Sequence, residues 1–102
     1  MAKLIAIYKT PSDKDAFDRY YATTHIPLAK QVPGLRSYDI SKGPVVSPTG
    51  PSPVYLIATL TFDSLDAIVT ALNSPEGQAT GADLGNFADG GVDLFFFDTE
   101  EV

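Results

Sequence analysis

Only one side chain in this sequence has an ordinary pKa close to neutrality: His25, its single histidine. The chain has no cysteine, so no thiol nucleophile is available. Proton chemistry near pH 7 therefore falls first to His25. It stands in Thr24-His25-Ile26-Pro27-Leu28, with Phe17, Tyr20 and Tyr21 before it at helical spacing. A pocket lined by Phe17, Tyr21, Leu28 and Tyr38 would be apolar with a few polar tips, the usual character of a small-molecule site. In it His25 would take a proton from an activated carbon or hydroxyl. Tyr8, Tyr38 or Tyr55 would donate a hydrogen bond to a developing oxyanion. Asp39 would orient the imidazole if the fold brought it near, which the sequence does not establish. A structural reading stands beside each of these. A lone histidine at a helix end also caps the terminus or bonds a carbonyl, and a tyrosine is commonly buried as packing with its hydroxyl satisfied.

The elements that must position these residues follow from periodicity and punctuation. Residues 3–8 are short and apolar, a first strand. Thr10-Pro11-Ser12 interrupts it, and Ser12 with Asp15 resembles a capping box opening a helix over about residues 13–23. Phe17, Tyr20, Tyr21 and Thr24 share one face of that helix. Pro27 disfavours helical geometry at Ile26, so the helix is expected to break or kink near His25. A helical turn resumes over 28–31, until Pro33-Gly34 ends it.

Residues 35–46 read as a second strand, with Arg36, Tyr38 and Ile40 on one face and Ser37, Asp39 and Ser41 on the other. The turn-rich run from Ser47 to Pro53 is expected to be a loop. Val54, Leu56, Ala58, Leu60 and Phe62 alternate with Tyr55, Ile57, Thr59 and Thr61 in a third strand. Asp63-Ser64 caps a second helix with Leu65, Ile68, Val69 and Leu72 as its buried stripe. Ser74-Pro75-Glu76 starts a further helical segment. It carries Gly77, Gly81 and Gly85 and is expected to be short or irregular. Residues 92–98 form the last strand.

The resulting order, β-α-β-β-α-β, is the ferredoxin-like pattern, an α+β sandwich in one domain spanning residues 1–102. Its two main helices cover one face of a four-stranded antiparallel sheet. In the last strand Val92, Leu94 and Phe96 alternate with Asp93, Phe95 and Phe97, so large apolar groups point both ways. A sheet wet on one side is polar there, and a second subunit in a two-fold homodimer is the simplest cover.

Composition narrows the partners. Seven basic against thirteen acidic residues give a formal charge of -6. The basic residues are scattered, which disfavours nucleic acid and anionic membrane surfaces. No apolar run approaches the roughly 20 residues of a membrane span, and the N-terminus lacks a signal-peptide layout. A soluble cytoplasmic protein is expected. One histidine with scattered carboxylates gives no metal-ligand spacing, and no Gly-x-Gly-x-x-Gly unit follows a strand. Neither a metal nor a cofactor is expected.

The motif Phe17-x-x-Tyr20-Tyr21-x-x-Thr24-His25-Ile26-Pro27-Leu28, with Pro33-Gly34-Leu35-x-x-Tyr38, resembles the EthD family of dimeric α+β barrel proteins. Ser74-Pro75-Glu76-Gly77-Gln78-Ala79, followed by Asp83-Leu84 and Phe87, is similar to that family's C-terminal helix. The resemblance covers essentially the whole chain. It implies a homodimer whose two sheets close into a barrel with the helices outside. It also implies a small hydrophobic or cyclic ligand. Related barrels include cofactor-free isomerases, cyclases and small monooxygenases, and a histidine in a comparable helix-end motif is implicated in methylmuconolactone isomerisation. The family takes its name from a protein required for bacterial degradation of ethyl tert-butyl ether. An enzyme using His25 and a non-catalytic ligand-binding accessory dimer are therefore both open, as is a lid role for the 47–53 segment.

Overall fold

Alternation of small and large apolar residues sets the first strand. Ala2, Leu4, Ala6 and Tyr8 of β1 (Ala2–Lys9) are buried, while the residues between them are only partly covered. The computed structural model describes all of residues 1–102. The chain continues through α1 (Lys14–Tyr20), a π-helical turn (Tyr21–His25), α2 (Ile26–Ala29), β2 (Ser37–Ile40), β3 (Val46–Ser47), β4 (Gly50–Pro51), β5 (Val54–Phe62), α3 (Leu65–Asn73), α4 (Pro75–Phe87) and β6 (Val92–Asp98). The main sheet runs β2-β5-β1-β6 with every neighbouring pair antiparallel. This is the expected ferredoxin-like sheet. No helix is long and apolar enough to cross a membrane.

The register decides which side chains share a face. Tyr8, Leu56 and Val92 lie abreast, as do Ala6, Ala58 and Leu94, and Leu4, Leu60 and Phe96. Tyr38 and Ile40 join this face through Leu60 and Ala58. The helices pack here, and Phe62 and Ile68 are fully buried between the layers, while Leu94 and Phe96 on the edge strand β6 stay 46% and 44% exposed. The opposite face carries Ile5, Ile7, Ile57, Phe95 and Phe97, with Lys3, Asp39 and Thr61 toward one end. Phe95 is 55% exposed and Phe97 44%. Sequence alternation places Tyr55 on this second face, but a bulge at Tyr8/Lys9 shifts the register there. Tyr55 instead packs edge-on against Phe17 of α1, ring centres 5.3 Å apart.

Several boundaries differ from expectation for local reasons. Asp13, not Ser12, caps α1: its Oδ1 accepts from Ala16 N at 3.0 Å. Ser12 is engaged elsewhere, donating its hydroxyl and its backbone N–H to the carboxylate of Asp89. β2 ends at Ile40 rather than Val46, because Gly43 takes φ +74 and turns the chain off the sheet. The 47–53 run is not all loop: Val46 pairs with Pro51 and Ser47 with Gly50 in a two-rung hairpin.

In α3, Ser64 caps as expected, accepting from Ala67 N at 3.1 Å. Its buried stripe is Ile68 and Ala71, however, while Val69 is 44% exposed. The segment after Ser74 is neither short nor irregular. α4 is a regular helix of 13 residues and the longest in the chain. Ser74 supplies its N-cap, accepting from Gly77 N at 3.0 Å, and Pro75 starts it. Gly81 and Gly85 face open space, so they weaken propensity without disturbing packing. Gly77 sits where α4 crosses the end of α3; a Cβ there would lie 1.9 Å from the Ala71 carbonyl oxygen.

Candidate functional site

Pro27 has no N–H, and its ring clashes with the carbonyl four residues back in a regular helix. The chain resolves this without a break. Tyr21–His25 widens into a π turn, in which Ile26 N–H reaches the Tyr21 carbonyl, and Pro27 falls in the first turn of α2. A π turn holds more residues per turn than the 3.6 of an α-helix. Residues four apart therefore drift backward instead of forward. The turn thus realigns His25 with Phe17 and Tyr21, and all three are buried. Thr24, expected on that buried face, is rotated out and exposed.

His25 is 4% exposed and points at α4. Its Nδ1 lies 2.9 Å from Oδ2 of Asp83, itself 7% exposed. The other carboxylate oxygen, Oδ1, accepts from the Tyr20 hydroxyl at 2.6 Å and from Asn86 Nδ2 at 2.9 Å. Burial lowers the His25 pKa below its usual 6.5, against a smaller upward pull from Asp83. Burial pushes Asp83 the other way, but the donors Tyr20, Asn86 and His25 together outweigh it and hold the carboxyl below its usual range. Both directions give one state at pH 7: a neutral imidazole whose Nδ1–H donates to an ionised carboxylate. Nε2, which has no partner within the chain, is then the basic lone pair. No buried side-chain nitrogen or oxygen lacks a partner, so Nε2 keeps a small accessible edge.

Phe87 of α4 is the centre of the surrounding packing. Its ring lies 4.7 Å from His25, 5.3 Å from Phe17, 5.7 Å from Tyr21 and 5.6 Å from Tyr8. The Tyr21 and Tyr38 hydroxyls are 2.6 Å apart. In such a pair one O–H donates to the other, and the Tyr21 hydroxyl also interacts with that of Tyr8, so the three form one hydroxyl cluster. Burial raises the pKa of Tyr8, Tyr21 and Tyr38. Burial and then the hydrogen bond to Asp18 push Tyr55 up to about 12. At neutral pH all four hydroxyls keep their protons, so none of them is a base.

The proposed pocket residues do not surround one cavity. Phe17 borders a hollow of about 280 Å3 beside Tyr20 and Asn86. Tyr55 borders one of about 690 Å3 and Tyr38 one of about 160 Å3. Tyr8, Tyr21, His25 and the half-buried Leu28 line none of the three. Asp39 does not orient the imidazole. Its register partner is Thr59 on the far face of the sheet, and the role falls to Asp83. Sequence periodicity gave no sign of that pairing across 58 positions. The available signals were the family-like Asp83-Leu84 and Phe87 segment and an aspartate at an inward position of a glycine-rich helix.

A ferredoxin-like domain holding a buried histidine–carboxylate pair among aromatic rings is the class of protein this structure defines. The chain belongs to the EthD family, whose domain model matches residues 9–91. It is 38% identical over 102 residues to an uncharacterized 11.0 kDa protein in the thcB-thcC intergenic region of Rhodococcus erythropolis, covering 100% of this chain and 98% of that one. It is also 38% identical to an ethyl tert-butyl ether degradation (EthD) family protein of Bacillus halodurans. That structure superposes with a TM-score of 0.88 over 98% of this chain and 99% of the other. SnoaB, a cofactor-independent oxygenase from Streptomyces nogalater, shares the fold at 13% identity and a TM-score of 0.68, over 99% and 94% of the two chains. So does a dimeric ferredoxin-like protein of unknown function from Bacteroides fragilis, at 17% identity and a TM-score of 0.65, over 96% and 95%.

Proposed function

We propose that this protein binds a small hydrophobic or cyclic molecule and transforms it without a cofactor, as an isomerase, cyclase or monooxygenase, with His25 moving the proton. The observation that carries this reading is the 2.9 Å contact between His25 Nδ1 and Asp83. A carboxylate on Nδ1 fixes the tautomer that leaves Nε2 basic, and it stabilises the imidazolium formed when Nε2 accepts a proton. The substrate proton would come from an acidic C–H or O–H, and a hydroxyl of the Tyr8–Tyr21–Tyr38 cluster would steady the oxyanion left behind. The fold shared with SnoaB, named as a cofactor-independent oxygenase, supports a reaction class that needs no bound metal or cofactor.

A second reading has its own observation. His25 borders none of the three cavities, which favours a dimer that holds its ligand for a partner enzyme, as the family's association with ether degradation implies. Under either reading the working unit is a homodimer. The exposed Phe95 and Phe97, beside Ile5, Ile7 and Ile57, form a continuous apolar stripe on the uncovered face. A second copy would bury it.

The test is thermal unfolding of the protein and of His25→Ala against small lactones, phenols, quinols and branched ethers. A ligand at about 100 times its Kd stabilises the fold by roughly 2.7 kcal/mol. Any compound that stabilises is then assayed for turnover. Turnover by the wild type, lost in His25→Ala while binding persists, supports the enzyme. Equal binding with no turnover by either protein supports the accessory reading.

A further inference from the structure

The largest cavity in the molecule, about 690 Å3, lies away from His25. Ligand pockets for small organic molecules span roughly 300 to 1,000 Å3; of the three hollows, only this one falls in that range. It sits where the chain leaves the sheet at Gly43 and folds back as the β3–β4 hairpin, a strap paired only with itself. Val46 of the strap and Val54 and Leu56 of β5 give it apolar walls. α1 adds the exposed Lys14 and Asp18 to the lining, with Tyr55 of β5 bonded to Asp18.

These polar groups are incompletely used. Asp18 Oδ1 accepts from the Tyr55 hydroxyl at 2.8 Å, while Oδ2 has no partner. The Lys14 ammonium makes no hydrogen bond and no ion pair. One free acceptor and one free donor thus stand one helical turn apart, and their charges cancel. The walls bring no further charge, and the net charge of the chain, -6, disfavours an anion. Three rings separate the cavity from the histidine: Tyr55 to Phe17 at 5.3 Å, Phe17 to Tyr21 at 5.8 Å, Tyr21 to His25 at 5.4 Å.

We propose that the cavity under the β3–β4 strap is a binding site for an uncharged, mainly apolar ring compound bearing a hydroxyl group. The hydroxyl donates to Asp18 Oδ2 and accepts from Lys14, and the ring lies between Val46 and the β5 side chains Val54 and Leu56. The assignment does not rest on His25 having any chemical role.

The probe is 2-naphthol, which is uncharged at pH 7 and reports binding through its own fluorescence; naphthalene-2-carboxylate is the charged control. The site predicts saturable one-to-one binding of 2-naphthol and at least about tenfold weaker binding of the carboxylate, the size expected when one hydrogen bond to a charged group is lost. Asp18→Asn weakens 2-naphthol by about fivefold, because the bond to residue 18 then loses its charge assistance. Val46→Trp, at a strap position 68% exposed, fills the space and also weakens it, with circular dichroism confirming the fold. Lys30→Ala, at an exposed residue of the separate hollow beside Tyr38, leaves the affinity for 2-naphthol unchanged. Absence of 2-naphthol binding overturns the proposal. So does undiminished binding in both Asp18→Asn and Val46→Trp, or an equal loss of binding in Lys30→Ala. The titration reads binding without turnover, so failure of this site and failure of the chemistry proposed for His25 are read separately.

Discussion

Replacing Asp83 by asparagine keeps the side chain's shape and removes its charge. Three donors converge on the native carboxylate: His25 Nδ1, the Tyr20 hydroxyl and Asn86 Nδ2. A hydrogen bond to a charged group contributes about 1.5–3 kcal/mol and one between neutral groups about 0.5–1.5, so each loses about 1 kcal/mol of charge assistance. Asn86 is exposed and can turn to water, so it drops out of the sum. His25 is buried and counts fully, and the half-buried Tyr20 counts nearly so. The expected loss is about 2 kcal/mol, or roughly 10 °C in Tm for a chain of this length. Chemical and thermal denaturation at pH 7 measure it. A loss below about 0.5 kcal/mol would show that the network does not hold α4 to the π turn.

The same variant makes a second, independent prediction at His25. In the native protein Asp83 raises the imidazole pKa against a larger lowering by burial. Without the charge, burial acts alone and the pKa falls further. Because the folded value already lies below the unfolded 6.5, the associated stability is full above that pH and is lost as pH falls through the folded value. Asp83→Asn extends the loss to lower pH. The chain has one histidine, so a single imidazole resonance followed by NMR reports the titration directly. An unchanged or raised His25 pKa in Asp83→Asn would refute the assignment of Asp83 as its partner.

Other consequences follow from packing. Gly77→Ala should destabilise by about 1–3 kcal/mol despite the better helix former, because the new Cβ would meet the Ala71 carbonyl at 1.9 Å and backbone must move. Gly81→Ala, with nothing within 4 Å, should stabilise by up to about 1 kcal/mol; paired urea melts check both signs. Ser64→Ala removes the cap on α3 and should cost about 1 kcal/mol by the same measurement. If the proposed homodimer forms, Phe95→Asp with Phe97→Asp shifts sedimentation from dimer to monomer, while the far-ultraviolet dichroism of the fold persists; a wild type that already sediments as a monomer refutes the dimer.

The strand order was legible because it rests on period-two alternation and on punctuation by glycine and proline, both local signals. The π turn was not. Pro27 announced a disturbance, but a helix can answer a proline by breaking or by widening. The choice here depends on burying Phe17, Tyr21 and His25 together, which is a tertiary gain. The bulge that turns Tyr55 toward α1 is equally silent in sequence, since it follows from how β1 meets β5. Asp39 on β2 is the aspartate nearest the motif on its C-terminal side, but it is not the imidazole's partner. The partner sits instead on α4, where sequence gives no distance information at all.

That helix is where fold and site become one problem. α4 has three glycines, a composition that would fray in isolation, yet it runs 13 residues. Ser74 fixes its start, accepting from Gly77 N at 3.0 Å. Gly77 lets it approach the end of α3 more closely than any other residue would allow. Phe87 anchors its far end among five aromatic neighbours, His25 included. Asp83 lies between these anchors, so its position relative to His25 is set by contacts at residues 77 and 87. Gly77→Ala should therefore do more than destabilise. The backbone shift that relieves the Ala71 clash moves α4 as a body, which lengthens the 2.9 Å bond to Nδ1. The imidazole then titrates lower, in the direction predicted for Asp83→Asn, although residue 77 touches neither member of the pair. A Gly77→Ala protein that is less stable but has an unshifted His25 titration would show that the α3–α4 crossing and the histidine–carboxylate pair are held independently.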